Sequence, residues 1–214
     1  MEHNLKAFFD EYIAKVGKYN AKQKEGLTFL LTKLGESKRI TLLPAQAYVL
    51  ATVAWETAYT FQPITEYGSV TYLTSKKYYP YIGRGYIQLT WRSNYEKFGK
   101  ALRLDLVNHP NLANEKGTAW KILEMGMTDN FGVQDPDFTS HTLEDFITAE
   151  TKYSDHFLNA RRIINPKDLK SCRPIADLAV KFLSCLTASA TKELVIDMHE
   201  HAKGFWETEI KEVN

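Results

Sequence analysis

Two cysteines in 214 residues are too few for a disulfide scaffold. Cys172 and Cys185 form no metal-binding or redox motif and read as two free thiols, with one disulfide as the other arrangement. Net charge is nearly absent, at +1, so there is no electrostatic case for nucleic acid as a partner. No apolar run approaches the roughly 20 residues that span a bilayer, so stable membrane insertion is not expected. The opening Met1-Glu2-His3-Asn4 lacks the positive start and apolar stretch of a secretory signal, which leads to an expectation of cytoplasmic accumulation. Internal repeats, low-complexity tracts and linkers are also missing. What remains is an ordinary globular balance, 44% hydrophobic and 25% charged, and the chain is read as one domain over 1–214.

The patterning is mostly helical. Leu5, Phe8, Phe9, Tyr12, Ile13 and Val16 recur at helical spacing, which predicts a helix over 4–16. Asn20 suits the cap of a second helix that buries Leu27, Leu30, Leu31 and Leu34 before Gly35. Pro44 suits the first turn of a third, apolar nearly all round and therefore central, running to about Tyr59. Residues 61–83 mix Pro63, Gly68, Pro80 and Gly83 with many tyrosines, and predict loops with a short antiparallel hairpin. Further helices are expected near 91–102, 112–128 and 142–151. A polar stretch to 172 and a long helical region from Pro174 follow. The fold class is mainly α with a small β-excursion.

Candidate chemistry begins at LATVAWETAYT, residues 50–60, where Glu56 is the one carboxylate in an apolar helix end. Desolvation there favours its neutral form and makes it a proton donor. Glu66, ten residues on in a polar loop, stays charged and can activate water. Two carboxylates in contrasting surroundings serve glycoside hydrolysis, although glutamates ten apart are common. GRGYIQLTW, residues 83–91, is more specific. If extended, it sets Gln88 and Thr90 side by side, suited to holding a sugar and a water; the alternative is an ordinary strand leading into a helix. The tyrosines between 67 and 86 either line a sugar cleft or pack across a hairpin. Lys76-Lys77 is a solvated turn or a contact for an anionic wall polymer. His199-Glu200-His201 has i, i+2 spacing, which faces two directions on a helix and reads as surface.

WETAYTFQPITEYG, GRGYIQLTWRSNYEKFGKALRLDLVNHPNLA and NARRIIN come in the order seen in glycoside hydrolase family 19. The chain resembles that family's bacterial and phage members, chitinases and cell-wall lytic endolysins, over about 25–190. The resemblance implies a lysozyme-like helical fold with two lobes and a β-hairpin beside the cleft. It implies Glu56 as general acid, Glu66 as general base and Thr90 as the hydroxyl holding the attacking water, with Ser69 and Thr71 as alternatives. It implies substrate contacts from Arg84, Gln88, Asn94, Tyr95, Arg161, Arg162 and Asn165. Trp55 stands where the family has His, and Pro166 where it has Gly. The implied activity is inverting hydrolysis of β-1,4 bonds between aminosugars in peptidoglycan, with chitin hydrolysis and a non-catalytic glycan-binding or phage structural role as alternatives. No cofactor or metal is expected. The partner is a peptidoglycan strand or a chitin oligomer, the state a monomer, and a phage enzyme would reach the wall once a holin opened the membrane.

Overall fold

The computed structural model describes residues 3–128 and 137–190. Helix α1, Leu5–Lys15, starts at Asn4, whose side chain accepts from the Ala7 amide at 3.1 Å and relieves one unpaired N–H of the first turn. It buries Phe8, Phe9 and Tyr12. Helix α2, Ala21–Glu36, opens with a reciprocal cap: the Asn20 side chain accepts from Gln23 N at 2.9 Å, and the Gln23 side chain accepts from Asn20 N at 2.8 Å. Its buried face includes the four expected leucines.

Helix α3, Leu43–Glu56, carries Pro44 in its first turn and is buried continuously from Pro44 to Ala54. It packs against α8, Cys172–Ser189, which also covers α1. The helix stops three residues before the expected Tyr59. Ala58, Tyr59 and Phe61 adopt φ of 48°, 60° and 53°, which no α-helix accommodates. Thr57 secures the stop by donating to Val53 O at 2.7 Å and accepting from Phe61 N at 3.2 Å. Glu56 is therefore the last residue of a rod anchored in the core.

The β-excursion is smaller than expected and ends later. Strand β1, Ile64–Thr65, pairs antiparallel with β2, Arg84–Gly85, with Ile64 opposite Gly85 and Thr65 opposite Arg84. Between them lies a short helix, α4 (Val70–Thr74), that periodicity did not indicate; Ser69 caps it by accepting from Tyr72 N. Helix α5, Arg92–Leu102, falls where expected. Pro110–Asn114 is a 3₁₀ turn, so α6 begins only at Lys116 and runs to Met127.

Two expectations are corrected. No α-helix covers 142–151; Leu143–Asp145 is a 3₁₀ turn with a reciprocal Thr142–Asp145 cap. Thr148 and Thr151 then take backbone amides on their hydroxyls, which competes with helical bonding. The stretch before 172, read as polar, instead contains α7 (Ser154–Phe157) and a 3₁₀ segment, Leu158–Ile163, with Phe157, Ala160, Arg161 and Ile163 buried. Both cysteines are free. Among the described residues, no helix is long and apolar enough to cross a membrane. His199, Glu200 and His201 lie outside the described residues.

Candidate active site

The end of α3 leaves the Glu56 side chain 15% exposed. One carboxylate oxygen accepts from Arg161 Nη1 at 2.6 Å, and Arg161 Nη2 reaches Asp168 Oδ2 at 2.8 Å. Three ionisable side chains thus form a chain across 3₁₀ segment, helix end and the loop before α8, with Asp168 at its more exposed end. Burial pushes the Glu56 carboxyl above its ordinary value, against the pull of the adjacent guanidinium. Asp168 shifts the other way: hydrogen bonding from Ser171, and from Arg161, holds it below the usual aspartate range. Burial alone would favour loss of the Arg161 proton, but Glu56 and Asp168 outweigh it and raise Arg161 further. A carboxyl raised by burial and a firmly charged guanidinium therefore share one hydrogen bond.

Glu66 follows β1 directly and is held at three points. Its amide donates to Gly83 O at 2.7 Å, Gly83 N donates to Oε2 at 3.0 Å, and the Tyr78 hydroxyl donates to Oε1 at 2.9 Å. Tyr78 in turn meets Trp91 edge-on, with ring centroids 5.2 Å apart.

GRGYIQLTW is a closed turn, not an extended strand. Arg84 and Leu89 exchange backbone bonds at 3.1 and 2.9 Å, and Gln88 sits at φ 55°. Gly85 has φ 85°, and a Cβ there would lie 2.9 Å from Ala113 O, so glycine is required twice over. The amide of Gln88 folds inward and donates to Ile64 O at 3.2 Å, tying the turn to β1. Thr90 lies at the mouth of the turn, partly exposed, its carbonyl accepting from Asn94 Nδ2 at 2.9 Å.

Several expected substrate contacts are placed in the interior instead. Arg84 is 7% exposed and gives its guanidinium to Asn111 Oδ1, Pro80 O, Ile82 O and the Tyr95 hydroxyl. Tyr95 is fully buried and donates to Ile82 O at 2.8 Å. Arg161 lies beneath Glu56, not on an open wall, because its charge is spent on two carboxylates. Arg162 and Asn165 are exposed. Sequence reasoning missed Asp168, Tyr78 and Asn114. The Asn114 side chain accepts from Gly85 N at 2.9 Å and donates to Thr65 Oγ1 at 2.7 Å, bracing the small sheet. Nothing in the local pattern singles out Asn114 or Asp168; Tyr78 was one tyrosine among many.

A family model described as chitinase class I matches residues 9–150. Among curated proteins, an inactive chitinase-like protein of Hevea brasiliensis is 38% identical over 89 residues, covering 41% of this chain and 25% of that protein. Chitinase 8 of Oryza sativa subsp. japonica is 60% identical over 35 residues, covering 16% and 13%. The chain thus spans a quarter or less of the length of these two relatives. Chitinase C from Streptomyces griseus superposes with a TM-score of 0.56 at 22% identity over 85% of this chain and 78% of that one. A bacterial family 19 chitinase gives 0.56 at 23%, over 87% and 95%. At such identity the likeness establishes a shared fold.

Proposed function

The chain belongs to glycoside hydrolase family 19, and from that membership we propose that it hydrolyses β-1,4 bonds between aminosugars of peptidoglycan by inversion at the anomeric carbon. The observation that carries the proposal is the setting of Glu56: a carboxyl pushed up by burial, at the tip of a rigid helix, with a cation ready for the charge it acquires. Glu56 gives its proton to the glycosidic oxygen, so the C–O bond breaks and the leaving sugar departs as an alcohol. Glu66, with the Thr90 hydroxyl holding the nucleophile, takes a proton from water as that water attacks the opposite face. An inverting pair stands roughly 6.5–9.5 Å apart to admit this water. Arg161 receives the new carboxylate as an ion pair, which favours release of the proton at the moment of bond cleavage.

The 55–68, 83–113 and 159–165 motifs resemble those of a family whose bacterial and phage members include both chitinases and cell-wall lytic enzymes, and the wall-lytic branch supplies the peptidoglycan reading. The acid and base of this reading leave the polymer's identity to groups outside them. A second reading, chitin hydrolysis, is favoured by the names of the relatives. A third, a silent glycan binder, is favoured by the relative named inactive, and the presence of both Glu56 and Glu66 argues against it.

The test pairs turbidity loss of permeabilised Gram-negative cells with hydrolysis of chitin oligomers. Clearing without chitin cleavage is expected, and Glu56→Gln should abolish clearing while leaving the circular dichroism spectrum unchanged. Chitin cleavage alone replaces the first reading with the second. A Glu56→Gln variant as active as the native protein ends the acid assignment.

A further inference from the structure

We propose that Tyr78 is a positioning residue for Glu66, fixing the carboxylate relative to the Trp91 ring and the backbone of the adjoining Thr90. The inference rests on reading Glu66 as the base. A carboxylate offers about four lone-pair directions. In Glu66, Gly83 N occupies one on Oε2 and the Tyr78 hydroxyl one on Oε1, so each oxygen is tethered once and retains a direction for water. The Gly83 tether is backbone, set by β1 pairing with the turn. The Tyr78 tether is a side chain, and it alone can transmit the position of something else.

That something is Trp91. Its ring meets Tyr78 edge-on at 5.2 Å, its amide donates to Tyr81 O at 3.0 Å, and it holds φ 73° as the residue between Thr90 and α5. The Thr90 backbone, joined to Trp91 by the peptide bond, is therefore linked through the Trp91–Tyr78 ring contact and the Tyr78–Glu66 hydrogen bond to the carboxylate that would deprotonate the water. Loss of the phenol oxygen frees Glu66 to rotate about its remaining tether without touching the core, because Tyr78 is only partly buried. The geometry has a second consequence. Desolvation, then the hydrogen bond and charge of Glu66, push the Tyr78 phenol up to about 12. Tyr72 adds to the upward push, and Lys76 sits 3.7 Å above the Tyr72 ring.

The experiment uses the full chain and three variants, Tyr78→Phe, Glu66→Gln and Glu56→Gln, assayed on the substrate that the native protein cleaves. Tyr78→Phe should lower kcat about tenfold, as expected for misplacing a general base, with KM within about twofold and Tm close to native. In Glu66→Gln the Tyr78 ring-carbon NMR signal should move more than that of any other tyrosine, and its phenol should ionise at lower pH. A packing role alone would lower Tm and raise KM with the Tyr78 signal indifferent to residue 66, and that result overturns the inference. So does a fully active Tyr78→Phe beside an inactive Glu66→Gln, which leaves the glycosidase reading standing. A native chain inactive on both substrates removes the reading, and the inference with it.

Discussion

Arg161 tempers the effect of burial on Glu56, because a single guanidinium 6% exposed bonds two carboxylates at 2.6 and 2.8 Å. Removing the guanidinium leaves the largely buried Glu56 carboxyl without its donor and the partly exposed Asp168 without its cation, and an unmade buried hydrogen bond costs about 1–3 kcal/mol. Arg161→Met should lower stability by that order in urea denaturation. The same substitution removes the pull that opposes burial, so the Glu56 carboxyl rises further. An acid must be protonated to work, so activity is present below its pKa and fails as pH rises through it; in Arg161→Met that failure should move to higher pH in the kcat/KM profile. Asp168 has the opposite sign. Its depressed pKa means that its stabilisation is present above the ordinary value of 3.8 and is lost as pH falls through the lower folded value. Asp168→Asn should therefore be less stable than native near neutrality and indistinguishable in strong acid, a comparison that thermal melts at the two pH values settle. Glu56 was legible as an anomaly because one charge among apolar neighbours stands out. Its partner was not, since Arg161 lies 105 positions away and only the fold brings them together.

Elements whose character rests on local chemistry were the legible ones. The Asn20–Gln23 cap, Pro44 in a first turn and the leucine face of α2 each follow from a side chain acting within one or two helical turns. The turn at 83–91 was harder, because alternation of Ile87 and Leu89 with polar neighbours fits a strand as well as a closed turn, and the turn depends on the Arg84–Leu89 backbone pair and on positive φ at Gly85 and Gln88. Helix 142–151 failed for a related reason: threonine hydroxyls captured the amides that helix bonding needs. Contact between elements is as exacting as their termini. A Cβ on Gly26 of α2 would sit 2.2 Å from Phe61 O, in the segment that turns the chain away from Glu56. Since that neighbour is backbone, it must shift as a body. Gly26→Ala should cost about 1–3 kcal/mol despite the better helix propensity of alanine. It should also lower activity through displaced residues 57–62. A Gly26→Ala variant as stable as native would show that α2 and this segment do not meet as described.

The molecule as a whole sets its two candidate groups on unequal supports. Glu56 stands on α3, buried over eleven consecutive residues and flanked by α8. Glu66 and Thr90 flank a turn whose Ile82, Tyr86, Ile87 and Leu89 are buried, whereas the Tyr78 tether follows α4, a five-residue helix without a buried residue. Sequence composition made the first half visible, since an all-round apolar helix can only be a core helix. It left the second obscure, since tyrosines among glycines and prolines fit packing and substrate contact equally. The inequality has a dynamic consequence: opening free energy follows buried contact, so the carboxylate read as acid should be held at nearly the full stability of the protein, while the α4 segment that leads to the Tyr78 tether opens more easily. Native-state hydrogen exchange measures this directly. Amides of 47–56 in α3 should exchange only through global unfolding, with a denaturant dependence equal to that of the whole chain. Amides of 73–76 at the end of α4 should exchange orders of magnitude faster, with almost no denaturant dependence. Bound substrate, by bridging the two supports, should slow the second set and leave the first unchanged. Equal protection of both sets in the free protein would mean that α4 is anchored as firmly as the core, and that the Tyr78 tether is as rigidly placed as the acid.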